Sequence, residues 1–123
     1  MDLDGDWIGS NNWENQPGAD LSAVVYWALV ETESHWFLFY SLFHPRDYTE
    51  EPCAESDGCH ENDMESLQVV VAKDGSAYGR SQALLTLAHS HIYLFPLDRS
   101  VKKGALRLWD GAVLEEGHPA VWV

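Results

Sequence analysis

Two apolar runs separated by only four polar residues constrain the fold of this 123-residue chain more than any other feature. The first is Ala23 to Val30 and the second is His35 to Phe43, and both are rich in aromatic and β-branched residues. Neither run has the period of an amphipathic helix, whereas both suit strands that are buried on two faces. Residues 31–34 between them are enough for a hairpin turn. The runs therefore predict two buried, antiparallel strands.

Turn signals divide the rest of the chain into further strands. An Asp-Gly pair at 74–75 closes a strand that we predict over 63–71, and Pro96 ends one that we predict over 83–95. A final strand is predicted to begin after Pro119. No segment keeps a helical period for more than about two turns. The elements are therefore all strands.

Length and composition indicate how these strands are organised. A chain of 123 residues with 46% hydrophobic residues suits one globular domain. We predict a single all-β domain over 1–123, an antiparallel β-sandwich, with an irregular N-terminal segment over 1–20 and a long acidic loop over 44–62. Cys53 and Cys59 lie in that loop, and they could form a disulfide outside the cytosol or stay as thiols inside it.

The charge of the chain limits its partners. Twenty Asp and Glu against seven Lys and Arg give a net charge of −13, which disfavours nucleic acid and charge-driven binding to anionic membranes. The partners that this charge favours are cations, basic proteins and neutral ligands. No apolar segment reaches the roughly 18 residues of a membrane span. Acidic residues at 2, 4 and 6 are the opposite of a signal-peptide start, so the chain is either cytosolic or, as we expect, a mature or trimmed secreted form.

Two carboxylates open the strand predicted over 63–71. Asp63 and Glu65 alternate along a strand, so they share a face with Leu67 and the apolar residues that follow it. A carboxylate is costly to bury unless it is paired or bound to a metal. No Lys or Arg lies within seven residues of either one in the sequence. A divalent cation would relieve the repulsion between them.

Two histidines occupy the matching positions of the next predicted strand. His89 and His91 follow two leucines with the same alternation. If the two strands form a hairpin about residues 75–79, these imidazoles approach Asp63 and Glu65. A slip of one residue in the register would turn them to the other face.

His60 adds a further imidazole three residues before Asp63. Oxygen ligands with one imidazole suit Ca²⁺, Mg²⁺ or Mn²⁺, whereas several imidazoles favour Zn²⁺. The secondary candidates for the same site are His44, Asp47 and Glu61. The alternative is that all these groups are solvated at the end of a strand.

The string from His60 to Glu65 resembles the core motif of necrosis- and ethylene-inducing-like proteins and of the related vacuolar-sorting-62-like proteins. In those families a His-Asp-Trp-Glu-type motif lies on a β-sandwich and holds a divalent cation. His60, Asp63 and Glu65 match its ionisable residues, and Met64 stands where those families usually carry Trp.

Two weaker strings extend the resemblance. Residues 87–90 are similar to a second motif, a strand that ends in His and a small residue. Residues 118–123 look like the opening of a third, which normally continues to another functional histidine. The resemblance therefore implies that the C-terminal end of the domain is incomplete.

Three functions follow from these patterns. The first is a binding module whose cation orders the acidic loop and helps to hold a small polar ligand, such as a lipid headgroup or a glycan; in the resembled toxin family the partner is a sphingolipid headgroup. The second is a metal-dependent hydrolase with a carboxylate as general base. Its ion would be held by His60 and Asp63 with His89 or His91, and its base would be Glu65 or Glu61. The third is a structural domain without a metal site.

Overall fold

The chain forms strands and turns over the residues that the computed structural model describes, which are 6–9, 11, 24–47, 60–88, 91–102, 104–108, 112–116 and 118–121. The strands are β1 (Val25–Glu31), β2 (His35–Asp47), β3 (His60–Ala72), β4 (Arg80–Ala88), β5 (His91–Pro96), β6 (Arg107–Leu108), β7 (Leu114–Glu115) and β8 (His118–Pro119). The first six form one sheet in chain order, and the last two pair with each other. These residues include no helix, which confirms the all-β class. They form a single large sheet, so the sandwich stays a prediction.

The strands differ in extent from those predicted. β2 continues to Asp47 and β3 begins at His60, so both ends of the predicted loop over 44–62 are strand. Its centre, with Cys53 and Cys59, lies outside the described residues. The prediction of a loop is therefore wrong for residues 44–47 and 60–62, where the strands include Pro45 and Asn62 although such residues disfavour strands.

The single strand predicted over 83–95 is wrong. It is two strands, β4 and β5, which pair antiparallel with Ala88 opposite His91. The apolar residues on both sides of this reversal hid the turn, which carries neither Gly nor Pro. The last strand also differs, since β8 begins at His118 and ends at Pro119 instead of beginning there.

The turn between β3 and β4 is built by Asp74. Its Oδ1 accepts hydrogen bonds from the Ser76 backbone N–H at 3.0 Å and the Ser76 hydroxyl at 2.7 Å. These two bonds, the hydroxyl first, hold the pKa of Asp74 below its usual value. Gly75 and Gly79 supply positive φ angles of 90° and 66°. The predicted turn and the β3–β4 hairpin are thus confirmed.

A β-bulge at Gln82 changes the register of this hairpin. Val70 pairs with Ala83, but Val71 pairs with Ser81, which leaves Gln82 as the extra residue. The Gln82 carbonyl instead accepts the backbone N–H groups of Leu97 at 2.8 Å and Asp98 at 3.1 Å. The bulge thereby binds the segment that follows β5.

Side chains add to these backbone bonds on both sides of the bulge. Oε1 of Gln82 lies 3.0 Å from Nε2 of His35 at the start of β2. Arg80 forms an ion pair with Asp98. The bulge region therefore connects β2, β4 and the segment after β5 through polar contacts.

The buried hydrophobic residues among those described lie in β3, β4 and β5. Ala83 and Leu84 are 4% and 2% exposed, and Leu94 and Val71 are also buried. Ala83 and Leu84 are consecutive, so their side chains point to opposite faces of the sheet. Both faces of the sheet are covered at this point.

β1 differs from this centre, and the prediction that it is buried on both faces is wrong. All seven of its residues are exposed, with Trp27 at 72%. Among the described strands, β1 stands at the end of the order beside β2. Its apolar residues predict a strand correctly, but its side chains are exposed, because burial depends on what packs on the faces of a sheet and not on the apolar character of the strand.

Contacts divide the chain into two compact units. One consists of Met1–Val25 with Leu42–Met64, and the other of Tyr26–Ser41 with Glu65–Val123. The single domain over 1–123 stays a prediction.

Candidate functional site

Two hydrogen bonds indicate how β2 and β3 are aligned. The Ser34 carbonyl accepts the Lys73 N–H at 2.8 Å, and the hydroxyls of Ser41 and Ser66 lie 3.4 Å apart. Ser41 lies seven residues after Ser34, and Ser66 lies seven residues before Lys73. Equal steps in opposite directions are what antiparallel pairing without a bulge requires.

Continued for three further residues without a bulge, this register would bring His44 opposite Asp63. Both residues are within the described strands and within the same compact unit. Directly opposed residues of antiparallel strands have Cβ atoms about 4.5–5.5 Å apart. An imidazole and a carboxylate would then occupy neighbouring positions on the two strands.

The ring of His44 has a buried nitrogen to which the described residues offer no hydrogen bond. Its Nε2 is inaccessible to solvent and has no hydrogen-bond partner among the described residues. Buried polar side-chain atoms are hydrogen-bonded in the large majority of cases, so each exception needs an explanation. A metal ion accepts the lone pair of a neutral imidazole nitrogen and would satisfy this atom.

The N-terminal residues contact the same compact unit. Asp6 accepts the Ile8 N–H and the Asn11 side-chain amide through its two oxygens, each at 2.8 Å. The amide of Asn62, one residue before Asp63, donates to the Gly9 carbonyl. Residues 6–9 and 11 therefore contact the start of β3 next to Asp63.

The other predicted ligands of this region are placed only by their backbone. His60 and Glu61 begin β3, and Asp47 ends β2. Their side chains are outside the described part of the structure. Asp63 itself is half-buried. We did not predict that His44 rather than His89 or His91 would oppose it, because the register of β2 against β3 carries no signal in the sequence.

The second compact unit holds Glu65 and His91. Ser66 pairs with Leu87, and one further step places Glu65 opposite Ala88, which pairs with His91. Glu65 and His91 therefore lie on one face with a strand between them, about 10 Å apart at the backbone. His89 lies outside the described residues.

The register that we predicted for β3 and β4 is wrong by one residue. It required Leu67 and Leu87 to share a face, but Leu67 pairs with Thr86 and Leu87 with Ser66. The bulge at Gln82 is the physical cause, because one extra residue turns all the later side chains of β4 to the other face.

The described side chains include no group of three or more His, Cys, Asp or Glu that could hold a metal ion. The predicted set is represented there by Asp63, Glu65 and His91, without the side chains of His60 and His89. The five-residue metal site stays a prediction.

A charged cluster missed in the sequence lies at the β1–β2 turn. The Lys73 ammonium is 2.5 Å from a Glu31 oxygen, 2.6 Å from the Thr32 carbonyl and 5.2 Å from the centre of the Trp36 ring. The hydrogen bond from Lys73, its positive charge and a bond from Trp36 all hold the pKa of Glu31 below its usual value. This cluster stabilises a turn and offers no open site.

Two surface concavities lie among the described residues. An apolar groove of about 140 Å³ is lined by residues that include Phe39, Leu85 and Ile92. It is smaller than the usual 300–1,000 Å³ of a ligand pocket. A wider one of about 580 Å³ lies at the β7–β8 hairpin, between Glu115 and Ala120. Its lining residues are mostly exposed, so it would hold a ligand weakly.

Comparison with protein-family models, with curated proteins and with solved structures finds no match to this chain. The resemblance carried by His60, Asp63 and Glu65 therefore stays a prediction. Over the described residues there is also no helix of the length and apolarity that crossing a membrane requires.

Proposed function

We propose that this chain is a divalent-cation-binding module whose ion lies at the shared end of β2 and β3. The observation that carries the proposal is the buried Nε2 of His44, which has no hydrogen-bond partner among the described residues. The register indicated by the Lys73–Ser34 and Ser41–Ser66 bonds supports the proposal, since its continuation without a bulge would bring Asp63 opposite His44. A cation between them would bind the imidazole lone pair and neutralise the carboxylate.

The donor set of the proposed site defines the metal. His44 and Asp63 supply one nitrogen and one carboxylate, and His60, at the first position of β3, is the third ligand that we propose. Regular alternation would turn His60 and Asp63 to opposite faces, but the positive φ of Asn62, 59°, interrupts the strand between them. Two imidazoles with one carboxylate favour Mn²⁺ or Zn²⁺ over Ca²⁺ and Mg²⁺, which prefer ligation by oxygen alone. Three protein ligands leave coordination positions open, so the ion can also hold a polar group of a ligand.

The charge of the chain supports this role for the ion. With a net charge of −13, the protein repels phosphate and other anionic groups at a distance. A bound cation supplies the local positive charge that a headgroup phosphate or the hydroxyls of a glycan would need. The proposed partner is therefore a small polar headgroup or glycan that binds through the metal.

Thermal unfolding with each of the four ions tests the site directly. A ligand that binds only the folded state stabilises it by about 2.7 kcal/mol at a hundredfold excess over its dissociation constant. We expect Mn²⁺ or Zn²⁺ to raise the melting temperature of the wild type and a chelator to reverse the rise. The increment should vanish in His44→Ala and Asp63→Ala.

His118→Ala is the matched control, because it removes an exposed histidine from the separate β7–β8 hairpin. It should keep the full metal-dependent increment. For each variant, the melting temperature with metal is compared with the melting temperature of the same variant without metal. A change in the basal stability of a variant therefore does not affect the result. An increment that survives in both His44→Ala and Asp63→Ala, or that no ion produces in the wild type, would overturn the proposal.

A further inference from the structure

The compact unit of the proposed site contains a second buried atom to which the described residues offer no hydrogen bond. Oδ1 of Asn11 is inaccessible to solvent and, like Nε2 of His44, has no partner there. These are the two such side-chain atoms among the described residues, and both belong to the unit of Met1–Val25 with Leu42–Met64. A buried acceptor without a donor destabilises a fold, so the pair needs an explanation.

The orientation of the Asn11 amide is fixed by Asp6. Nδ2 of Asn11 donates to Oδ2 of Asp6 at 2.8 Å, and the other oxygen of Asp6 accepts the Ile8 N–H at 2.8 Å. An ionised carboxylate only accepts hydrogen bonds, so the NH₂ group of Asn11 and not its oxygen must face Asp6. Turning the amide over would therefore not satisfy Oδ1. This oxygen needs a donor or a cation on the side away from Asp6.

The same N-terminal residues contact the strand that carries Asp63. The Asn62 amide donates to the Gly9 carbonyl, and Asn62 directly precedes Asp63 in β3. Asn11 comes two residues after Gly9, so the Cα atoms of these two residues are at most about 7 Å apart. Asn11 thus belongs to the part of the unit that adjoins the start of β3.

We propose that Oδ1 of Asn11 is a ligand of the ion between His44 and Asp63, and that this ion fastens residues 6–9 and 11 to β2 and β3. The inference rests on the proposed function. Amide oxygens are neutral donors that divalent cations accept. One ion would satisfy both buried atoms, the ring nitrogen and the amide oxygen. The alternative occupant is a buried water that donates a hydrogen to each atom.

The added oxygen changes which metal the site prefers. With Asn11, the proposed ligands are two imidazole nitrogens, one carboxylate and one amide oxygen. Carbonyl and carboxylate oxygens suit Mn²⁺, whereas imidazoles suit Zn²⁺. We therefore expect the affinity for Mn²⁺ to depend on Asn11 more strongly than the affinity for Zn²⁺. A water in place of the ion predicts that neither affinity depends on Asn11.

The ion would also control how firmly the N-terminal residues are held. A metal bond at Asn11 must break before these residues leave the strands, so bound metal makes such an opening rarer. Hydrogen exchange of an amide follows the population of the open state. The N–H of Ile8 is a reporter of this opening, because its hydrogen bond to Asp6 lies within the fastened residues.

Calorimetric titration with Mn²⁺ and with Zn²⁺ tests the ligand. Asn11→Ala should raise the dissociation constant of Mn²⁺ about tenfold or more, since even residues one step removed from a metal ion change its affinity by about 10- to 100-fold. The constant for Zn²⁺ should rise less. Gln82→Ala is the matched control, because it removes an amide that contacts His35 in the other compact unit. It should bind both ions like the wild type.

Hydrogen exchange of the wild type gives a second test that needs no variant. Saturating Zn²⁺ should slow the exchange of the Ile8 amide several-fold. In Asn11→Ala, Zn²⁺ at saturation should leave this exchange rate unchanged. Each protein is measured well below its melting temperature, so that global unfolding does not contribute to the rate.

The possible outcomes separate this inference from the proposed function. If the wild type binds metal but Asn11→Ala binds Mn²⁺ equally tightly, Asn11 is not a ligand and the site of His44 and Asp63 stands. An Ile8 exchange rate that Zn²⁺ does not change in the wild type would likewise overturn the fastening alone. A wild type that binds neither ion would overturn both proposals.

Discussion

β1 and β4 are both apolar strands of one sheet, yet their surroundings are opposite. In β4, Ala83 and Leu84 are 4% and 2% exposed, although they point to opposite faces. In β1, Trp27 and Leu29 are 72% and 49% exposed. In the part of the chain that the structure describes, β4 has a strand on each side and β1 is the first strand of the order.

This comparison separates two properties, strand formation and burial, which an apolar run was expected to predict together. A run of aromatic and β-branched residues favours the extended backbone wherever it lies. Burial depends instead on which strands and segments come to lie beside it. The same apolar character therefore accompanies full exposure in β1 and burial in β4.

The largest effect should come from truncating a leucine in each strand. Leu84→Ala removes a side chain that is 2% exposed, and we expect a loss of about 3 kcal/mol in the free energy of unfolding. Leu29→Ala, at 49% exposure, should cost the monomer less than about 1 kcal/mol. Urea unfolding at low protein concentration measures both. Equal losses would mean that the edge strand is covered within the monomer.

The second-largest effect is expected at one of two glycines in the β3–β4 turn, Gly79, with Gly75 as the comparison. A Cβ at Gly79 would lie 2.9 Å from both Trp36 and Val71 and would clash with the Ala72 carbonyl. Gly75 also has positive φ, but nothing lies within 4 Å of its added Cβ. We expect Gly79→Ala to cost about 3 kcal/mol, from backbone strain and overpacking, and Gly75→Ala about 1 kcal/mol, from strain alone.

Thermal unfolding of the two glycine variants side by side is the measurement. Similar small losses would show that the turn is not packed against Trp36, and that β1 and the centre of the sheet differ less than we describe.

A smaller effect tests the bulge. Gln82→Ala removes the side-chain contact with His35 but keeps the carbonyl that binds Leu97 and Asp98. We expect a loss of about 1 kcal/mol, the usual net value of one hydrogen bond. Ser81→Ala, at an exposed neighbouring position, should be close to neutral. A collapse of the fold in Gln82→Ala would mean that the side chain, not the backbone, holds the bulge.

The smallest effect is the dependence of the β1–β2 turn on pH. Lys73 lowers the pKa of Glu31, so this pair contributes stability above the usual pKa of a glutamate and loses it as the pH falls through the lowered value. The melting temperature of Lys73→Met relative to wild type should therefore be less depressed near pH 3 than at pH 7. The substitution also removes the contact of Lys73 with Trp36 at every pH, and this loss adds a part to the difference in melting temperature that does not change with pH.

Lys102→Met is the control for the pH series, because Lys102 is exposed and lies outside the strands. Its melting temperature should follow that of the wild type at both pH values. A constant difference for Lys73→Met from pH 7 to pH 3 would contradict the assigned ion pair.

The sequence predicted the strands better than their register. The Asp-Gly turn at 74–75 and the strands on either side are local signals, and all three are present. The bulge at Gln82 depends on backbone groups 15 and 16 residues later, at Leu97 and Asp98. No local pattern at Gln82 indicates such a bond, so the predicted face of His89 and His91 rested on a register that the bulge changes.

The candidate site shows the same limit. His60, Asp63 and Glu65 were found because they are close in sequence, and His44 only as a secondary candidate. Its position opposite Asp63 depends on the pairing of β2 with β3, which are separated by residues 48–59 and not by a short turn. Long connections leave the register open, so the neighbour of Asp63 appears only in the structure.

The measurement that tests the central claim most directly is a ¹H–¹⁵N correlation spectrum of the histidine ring nitrogens, recorded with and without Zn²⁺. The buried Nε2 of His44 should change its chemical shift on addition of one equivalent, and His118 should not. The His44 change should be absent in Asp63→Ala. A His44 ring that is unaffected by Zn²⁺ and by Mn²⁺, as judged by paramagnetic broadening, would contradict the metal site at the end of β2 and β3.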